Sequence, residues 1–386
     1  MKRLSWFPMA VIAATSTAIL SMSSCGGGGK PDNEIWIGAY LSLSGQQATF
    51  GKTTEEGIRM AVEERNAKGG VKGKVIKLFV EDNKGQTSET QNAVKRLIGE
   101  KVDAILGEVA SGQSLAAAPI CQQNSMPMIS PSSTNPEVTK VGDMIFRVCF
   151  IDPDQGYACA KFSIDDLKAM KAAILYDQKQ PYSTGLADNF EEWYKKLGGT
   201  ITTKQAYSGG NVDFSAQLTT IRDSKPGIVF IPGYYNEVPS IAIQARKLGI
   251  EVPLLGADGW ETDDLAKKAE GKLEGCYYSN HYDPDDASRP ESLDYQKRFK
   301  AKYGKGTSAL AALGYDAANV LFDAMERAPS LSGKDLAKAL AETKDFKGVT
   351  GDINFDKNRN TLKPIVILKI EGGKEKYVTT IDPPKN

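Results

Sequence analysis

The sequence predicts an α/β protein made of two doubly wound parallel sheets flanked by helices. Three observations predict it. The chain has 386 residues, too many for one ordinary core and enough for two. Short apolar runs rich in β-branched and aromatic residues alternate with segments of helical periodicity, the order that gives parallel strands covered by helices. The alternation then restarts after residue 150, so a second sheet of the same class follows the first.

"EIWIGAY" and "KVIKLFVED" read as strands, with the helix "TTEEGIRMAVEERNAKGG" between them. Ile58, Ala61, Val62 and Arg65 share one face of that helix, and Gly69-Gly70 stops it. "TSETQNAVKRLIGE" is the next helix, "VDAILGE" a strand, "SGQSLAAAPICQQN" a helix and "PMISP" a strand. The second half runs through strand "AAILYD", helix "YSTGLADNFEEWYKKLGG", strand "TITTKQAY" and helix "FSAQLTTIRDS". Strand "GIVFIPG", helix "EVPSIAIQARKLG" and strand "VPLLGAD" follow. After "GCYYSNHYDP" come helices near 288–303, 309–327 and 333–343. The tail, "VTGDINFD", "KPIVILKI" and "KYVTTI", reads as antiparallel strands.

The apolar fraction of 41% and charged fraction of 25% are those of a globular protein. Lys plus Arg equals Asp plus Glu, 48 of each, so no basic field exists for nucleic acid. Lys2 and Arg3 precede the apolar stretch "MAVIAATSTAILSM", which is shorter than the roughly 20 residues of a membrane span and reads as a secretory signal. "MSSC" resembles a bacterial lipobox. That resemblance implies a signal peptide of residues 1–24, lipid attachment at Cys25 and anchoring to a membrane. Residues 25–33 then form a flexible glycine-rich tether, and Gly26 suits outer-membrane sorting. The alternative is an ordinary secretory signal with an incidental cysteine. Export permits disulfides; Cys121, Cys149, Cys159 and Cys276 admit three full pairings, and buried thiols are the other reading.

Doubly wound sheets place ligand-binding loops at the carboxyl ends of their strands. Five polar clusters sit at such ends: Ser111 to Ser114, the hydroxyls of "SPSST", Tyr182-Ser183, Tyr234-Tyr235, and Asp258 with Trp260. Hydroxyls and helix N-terminal N–H groups suit a carboxylate. A lone carboxylate, Asp258, suits an ammonium. Tyr182, Tyr234, Trp260 and Phe50 suit an apolar side chain. Together they describe a receptor for a zwitterion. Each residue also has a structural role open to it: Ser111 as a helix cap, Thr134 and Asp258 as turn residues, Tyr182 and Tyr234 as packing.

"GQQATFGKTTEEGIRMAVEERNAKGGVKG", "GEVASGQSLAAAPICQQNSMPMISPSSTNPEVT", "FRVCFIDPDQG", "DFSAQL", "GADGW", "ALGYDAA" and "KDFKGVTGDINFD" resemble the leucine/isoleucine/valine-binding family of solute-binding proteins of ABC transporters. The resemblance covers nearly the whole chain after residue 34. It implies two Rossmann-like lobes joined by three hinge crossings, the type I periplasmic binding fold. One lobe would be 34–150 plus 282–353 and the other 151–281 plus 354–386. It further implies that Ser111, the Ser132 backbone and Thr134 hold a ligand carboxylate. Asp258 would take the ammonium, and Tyr182 and Tyr234 would sit on the closing lobe. Phe50, Val109 and Trp260 would border the ligand side chain. Phe50 stands where a tyrosine is common, and Ala110 where enteric members carry a disulfide cysteine.

The implied function is capture of an amino acid, branched-chain or otherwise apolar, in the periplasm or at the cell surface. Delivery to a membrane permease and ATPase follows, by a monomer without cofactor or metal. A sensing receptor of the same fold, for amino acids, amides or aromatic acids, is the alternative. A hydrolase built on Ser111, His281 and Asp258 is the rival of another class, but no Gly-x-Ser-x-Gly elbow, phosphate loop or His-Glu-x-x-His occurs. His281, the only histidine, reads as packing at a predicted crossing.

Overall fold

The computed structural model describes residue 1, residues 30–283 and residues 289–384. Cys25, and with it the expected lipidation site, lies outside the described residues. The first sheet holds β1 (Glu34–Leu41), β2 (Val75–Asp82), β3 (Ala104–Leu106), β4 (Met128–Ser130) and β5 (Ile145–Arg147) in the order β2-β1-β3-β4-β5. Every pairing in it is parallel. Its connections are the helices α1 (Ala48–Ala67), α2 (Thr87–Gly99), α3 (Ser111–Gln123) and the short α4 (Glu137–Lys140).

The chain then enters α5 (Asp152–Asp165), which leads to β6 (Lys171–Asp177), α6 (Pro181–Lys196), β7 (Thr200–Tyr207) and α7 (Ser215–Asp223). Next come β8 (Ile228–Phe230), α8 (Val238–Lys247), β9 (Leu254–Gly256), a 3-10 turn at Asp258–Trp260, α9 (Leu265–Lys268) and β10 (Tyr277–Asn280). Three further helices, α10 (Pro290–Tyr303), α11 (Ala309–Arg327) and α12 (Gly333–Ala341), precede a separate hairpin of β11 (Phe346–Gly348) and β12 (Gly351–Ile353). Finally β13 (Ile365–Glu371) and β14 (Lys374–Ile381) extend the second sheet antiparallel to β10, giving the order β14-β13-β10-β9-β8-β6-β7.

The five parallel strands β7-β6-β8-β9-β10 therefore repeat the order of the first sheet. In both sheets the order reverses beside the first strand entered, and loops diverge there to leave a crevice. One apolar cluster joins the first sheet to α11 and α12, with Ile37, Leu106, Leu321 and Leu340 all buried. Fully burying each such aliphatic side chain contributes about 1.5–3 kcal/mol. A second cluster surrounds the other sheet, and Phe50, Val109, Ala110 and Leu310 from the first-sheet side pack into it. The helices α1 and α11 touch backbone to backbone: a Cβ on Gly57 would lie 1.9 Å from the Ala311 carbonyl oxygen.

Some expectations change. The helix expected from Thr53 begins at Ala48, which brings Phe50 into its first turn. The segment "VTGDINFD" is an antiparallel strand over Gly351–Ile353 only, paired with β11, while Phe355 makes an isolated bridge to Thr361. The elements β5, α4 and α5 were not foreseen. α5 has Asp-Pro at its start and two acidic residues in its first turn, a start signal that periodicity alone passes over. Cys121, Cys149, Cys159 and Cys276 are buried free thiols, and burial pushes the first three up to about 12.

Candidate functional site

The loop after β4 is built around buried hydroxyls with two different fates. Ser130 Oγ donates to the Glu108 carbonyl (2.8 Å) and accepts the Ser133 N–H (2.8 Å). Ser133 Oγ reaches the carbonyls of Glu108 (3.0 Å) and Val109 (2.9 Å) and the Ser114 hydroxyl (2.7 Å). Those bonds tie the β4 loop to the β3 loop and to α3. Ser132 Oγ and Thr134 Oγ1 are equally buried and have no hydrogen-bond partner in the chain. A buried hydroxyl left unsatisfied costs about 1–3 kcal/mol, so this pair is a candidate for contact with a ligand.

Arg147, at the end of β5, holds the loop from beneath. It is fully buried; Nη1 donates to the Ser133 carbonyl, and Nη2 to the Asn135 carbonyl (2.8 Å) and the Thr139 hydroxyl (3.3 Å). Its positive charge thus lies behind the hydroxyls. Ser111, the first residue of α3, does not cap its helix through its side chain; its hydroxyl accepts the Asn135 N–H (3.3 Å). Asn135 Nδ2 in turn donates to the Pro181 carbonyl (3.0 Å) at the start of α6, a bond from the first-sheet side to the second.

On the second-sheet side, Asp258 is a hub. Its Oδ1 accepts Gln155 Nε2 (2.8 Å) and the Tyr182 hydroxyl (2.7 Å), and its Oδ2 lies 3.0 Å from His281 Nε2. Tyr182 also accepts the Gly259 N–H (3.1 Å) and stacks on Tyr234, with ring centroids 4.9 Å apart and planes 9° apart. Gly259 permits that stack, because a Cβ there would meet both rings at 3.0–3.1 Å. Phe50 crosses from α1 to set its ring edge-on to Tyr234 (5.6 Å) and Tyr235 (4.8 Å). The Tyr235 hydroxyl donates to the Gln46 carbonyl (2.7 Å), again across the cleft.

The sheet order, the paired strand-end loops and this cleft now stand beside what is known of other chains. The model of the family described as periplasmic binding protein matches residues 34–374. The chain belongs to the periplasmic binding protein family. This family member is 32% identical over 355 residues to the Leu/Ile/Val-binding protein homolog 2 of Brucella abortus (strain 2308), spanning 91% of this chain and 95% of the relative. A solved leucine binding protein, LivK of Thermotoga maritima, is 38% identical with a TM-score of 0.87, over 90% of this chain and 99% of that one. The LivJ substrate-binding protein of Streptococcus pneumoniae, solved in complex with isoleucine, is 32% identical with a TM-score of 0.86, over 91% and 100%. The motifs that carry the family resemblance, from Gly45 to Asp356, lie within the matched span.

Within this periplasmic binding protein, Ser111, Ser132, Thr134, Tyr182, Tyr234, Asp258, Phe50 and Val109 converge on the strand-end loops that face each other. Trp260 stands apart from them. Its indole N–H donates to the Ile231 carbonyl (3.0 Å), its ring covers Gly256, and it packs beside Tyr278 in the second-sheet core. Ser111 and His281 are not hydrogen-bonded to each other: Ser111 serves Asn135, while His281 stacks on Phe150 at 3.8 Å and meets Asp258. Burial lowers the His281 pKa.

Three polar residues of the site escaped the sequence reading. Gln155 links Asp258 to Ser279 (3.0 Å), Arg147 holds the hydroxyl loop, and Asp152 opens α5 with its N–H bonded to the Thr134 carbonyl (3.0 Å). Both carboxylate oxygens of Asp152 are buried without a hydrogen bond. Arg147, Asp152 and Gln155 all stand in "FRVCFIDPDQG", a string that carried the family resemblance; a helix start recognised at Asp152-Pro153 would have put two of them on one turn facing the loop.

Proposed function

We propose that this chain is an extracytoplasmic solute-binding protein that captures an amino acid with an apolar side chain, branched-chain first, and delivers it to an ABC importer. The observation that carries the reading is the buried, unpartnered pair Ser132 Oγ and Thr134 Oγ1, set opposite the Asp258 hub. A carboxylate accepts from the hydroxyls and from the Ser111 end of α3, whose first N–H groups carry the positive end of the helix. The ammonium meets Asp258, and the side chain lies toward Phe50, Val109 and Tyr234. Tyr182 acts through Asp258, since its hydroxyl is already committed there.

The two lobes, 34–150 plus 282–353 and 151–281 plus 354–386, turn about crossings near 150, 280 and 353. Ligand stabilises the closed arrangement because only there do both walls touch it. The protein acts as a monomer with a permease and ATPase as partners, outside the cytoplasmic membrane and tethered through lipid on Cys25. The Leu/Ile/Val-binding names of its relatives support the ligand class. Mass spectrometry of small molecules released from the denatured protein, followed by a thermal-shift panel of amino acids, tests it. A ligand binding only the folded state at a hundredfold excess over Kd adds about 2.7 kcal/mol. No stabilisation by any amino acid would reject the reading.

A further inference from the structure

We infer that uptake of an amino acid displaces a proton from Asp152, so that binding at this site is coupled to pH. The inference rests on the amino-acid reading above and concerns the regulation of the same site.

An ammonium carries three donors, and a carboxylate has about four acceptor positions. Asp258 already receives Gln155 and Tyr182 and contacts His281, so about one of its acceptor positions remains for one N–H of the ammonium and the other two need acceptors elsewhere. The unpartnered buried acceptors around it include Gln155 Oε1, His281 Nδ1 and the two oxygens of Asp152, and of these only Asp152 can supply a negative charge. Asp152 is pinned between the hydroxyl loop, through its N–H to Thr134, and the first turns of α6, where a Cβ on Gly185 would lie 3.6 Å from Oδ2. It flanks the same end of the site as Asp258.

A carboxylate with no accessible surface and no hydrogen bond is costly to keep ionised. The groups that face it are of mixed sign. Among the described residues Arg147 is the one cation acting on it, and it is engaged with the carbonyls of the loop. Asp258 repels a charge on Asp152, and Tyr182, Tyr234 and Cys149 are neutral neighbours with raised pKa values. On its own helix Asp154 is itself held up, to about 6, by burial. Burial accordingly pushes Asp152 to about 8; the Thr134 hydroxyl, close by but outside hydrogen-bonding geometry, and Arg147 pull the other way. At neutral pH the group carries its proton. An arriving ammonium brings the positive charge and the donors that the ionised form lacks, and the proton leaves to solvent. The zwitterion enters and one proton exits, which balances the exchange.

The sign follows. Because the proton must be lost on binding, affinity rises with pH up to the pKa of Asp152 and falls by about tenfold per pH unit below it. Calorimetric titration of the full protein with L-leucine at pH 7, in phosphate and in Tris, reads the proton count from the dependence of heat on buffer. With a pKa near 8, about 0.9 proton per ligand should be released. Asp152→Asn should abolish the release and flatten the affinity between pH 6 and 8, while Glu261→Gln, at another buried acid pushed up to about 8, should keep it. Leucine binding to the wild type with less than about 0.2 proton exchanged would overturn this inference and leave the amino-acid reading standing. Release persisting unchanged in Asp152→Asn would also overturn it. If neither leucine nor any other amino acid binds the wild type, the underlying reading falls and takes this one with it.

Discussion

On the first-sheet wall of the cleft, Ser130 and Ser133 commit their hydroxyls to the carbonyls of the β3 loop, while Ser132 and Thr134 keep theirs unmatched. On the second-sheet wall the opposite holds: Asp258 is ringed by Gln155, Tyr182 and His281 before any ligand is considered. The difference separates two ways of building affinity. The first wall leaves donors short of partners, so under the proposed reading a ligand carboxylate would gain the full value of bonds that folding withheld. The second wall holds a carboxylate at a fixed position, so under the proposed reading an ammonium would meet it with little reorganisation.

The charge on the second wall is the feature whose loss should matter most. Truncating one partner of a buried charge pair costs roughly 2–5 kcal/mol, about thirty- to several-thousandfold in Kd. Asp258→Asn is expected to lose amino-acid affinity on that scale while keeping its fold. Calorimetry with leucine and with its deaminated analogue measures it. Binding of leucine within threefold of wild type would mean that Asp258 only supports Tyr182 and His281.

Arg147 tests the first wall from behind. Replacing it by methionine removes a charged donor from each of the Ser133 and Asn135 carbonyls, about 1.5 kcal/mol each, and leaves them only the Cys149 thiol (3.5 Å) and the Val138 N–H (3.2 Å). A stability loss of about 3 kcal/mol in urea is expected, together with weakened ligand binding. An unchanged denaturation midpoint would show that the loop holds itself through Ser130 and Ser133 alone.

The finest contrast lies between neighbours. Ser133→Ala should cost stability, about 1–2 kcal/mol, and affect affinity less. Thr134→Val should do the reverse: a roughly tenfold weaker Kd with stability within about 0.5 kcal/mol of wild type, since its hydroxyl bonds nothing in the chain. Paired urea melts and titrations decide it. If both variants lose stability alike, the division of the hydroxyls into structural and ligand-facing is wrong.

Much of this was legible beforehand. Apolar runs alternating with helical periodicity determined two parallel sheets, and turn-rich segments after strands determined which loops could face a ligand, because both signals are local in the chain. The short strand β5 and the helix α5 were not legible: β5 ends on the buried Arg147, which breaks its apolar run, and α5 buries polar residues that blur its apolar face. Trp260 shows the same limit at one residue. Its position after a strand end marks it for the cleft, yet Gly256 opens a slot beneath it in the core and the ring fills that slot. Sequence by itself determined the fold class, the family and the set of loops. Only the tertiary structure decided which hydroxyl of "SPSST" is bonded and which is left over, and that Asp152 stands beside Asp258. The reason is that hydrogen-bond satisfaction depends on partners far apart in the chain: Asp258 finds Gln155 at a separation of 103 residues and Tyr182 at 76, and no local pattern encodes either.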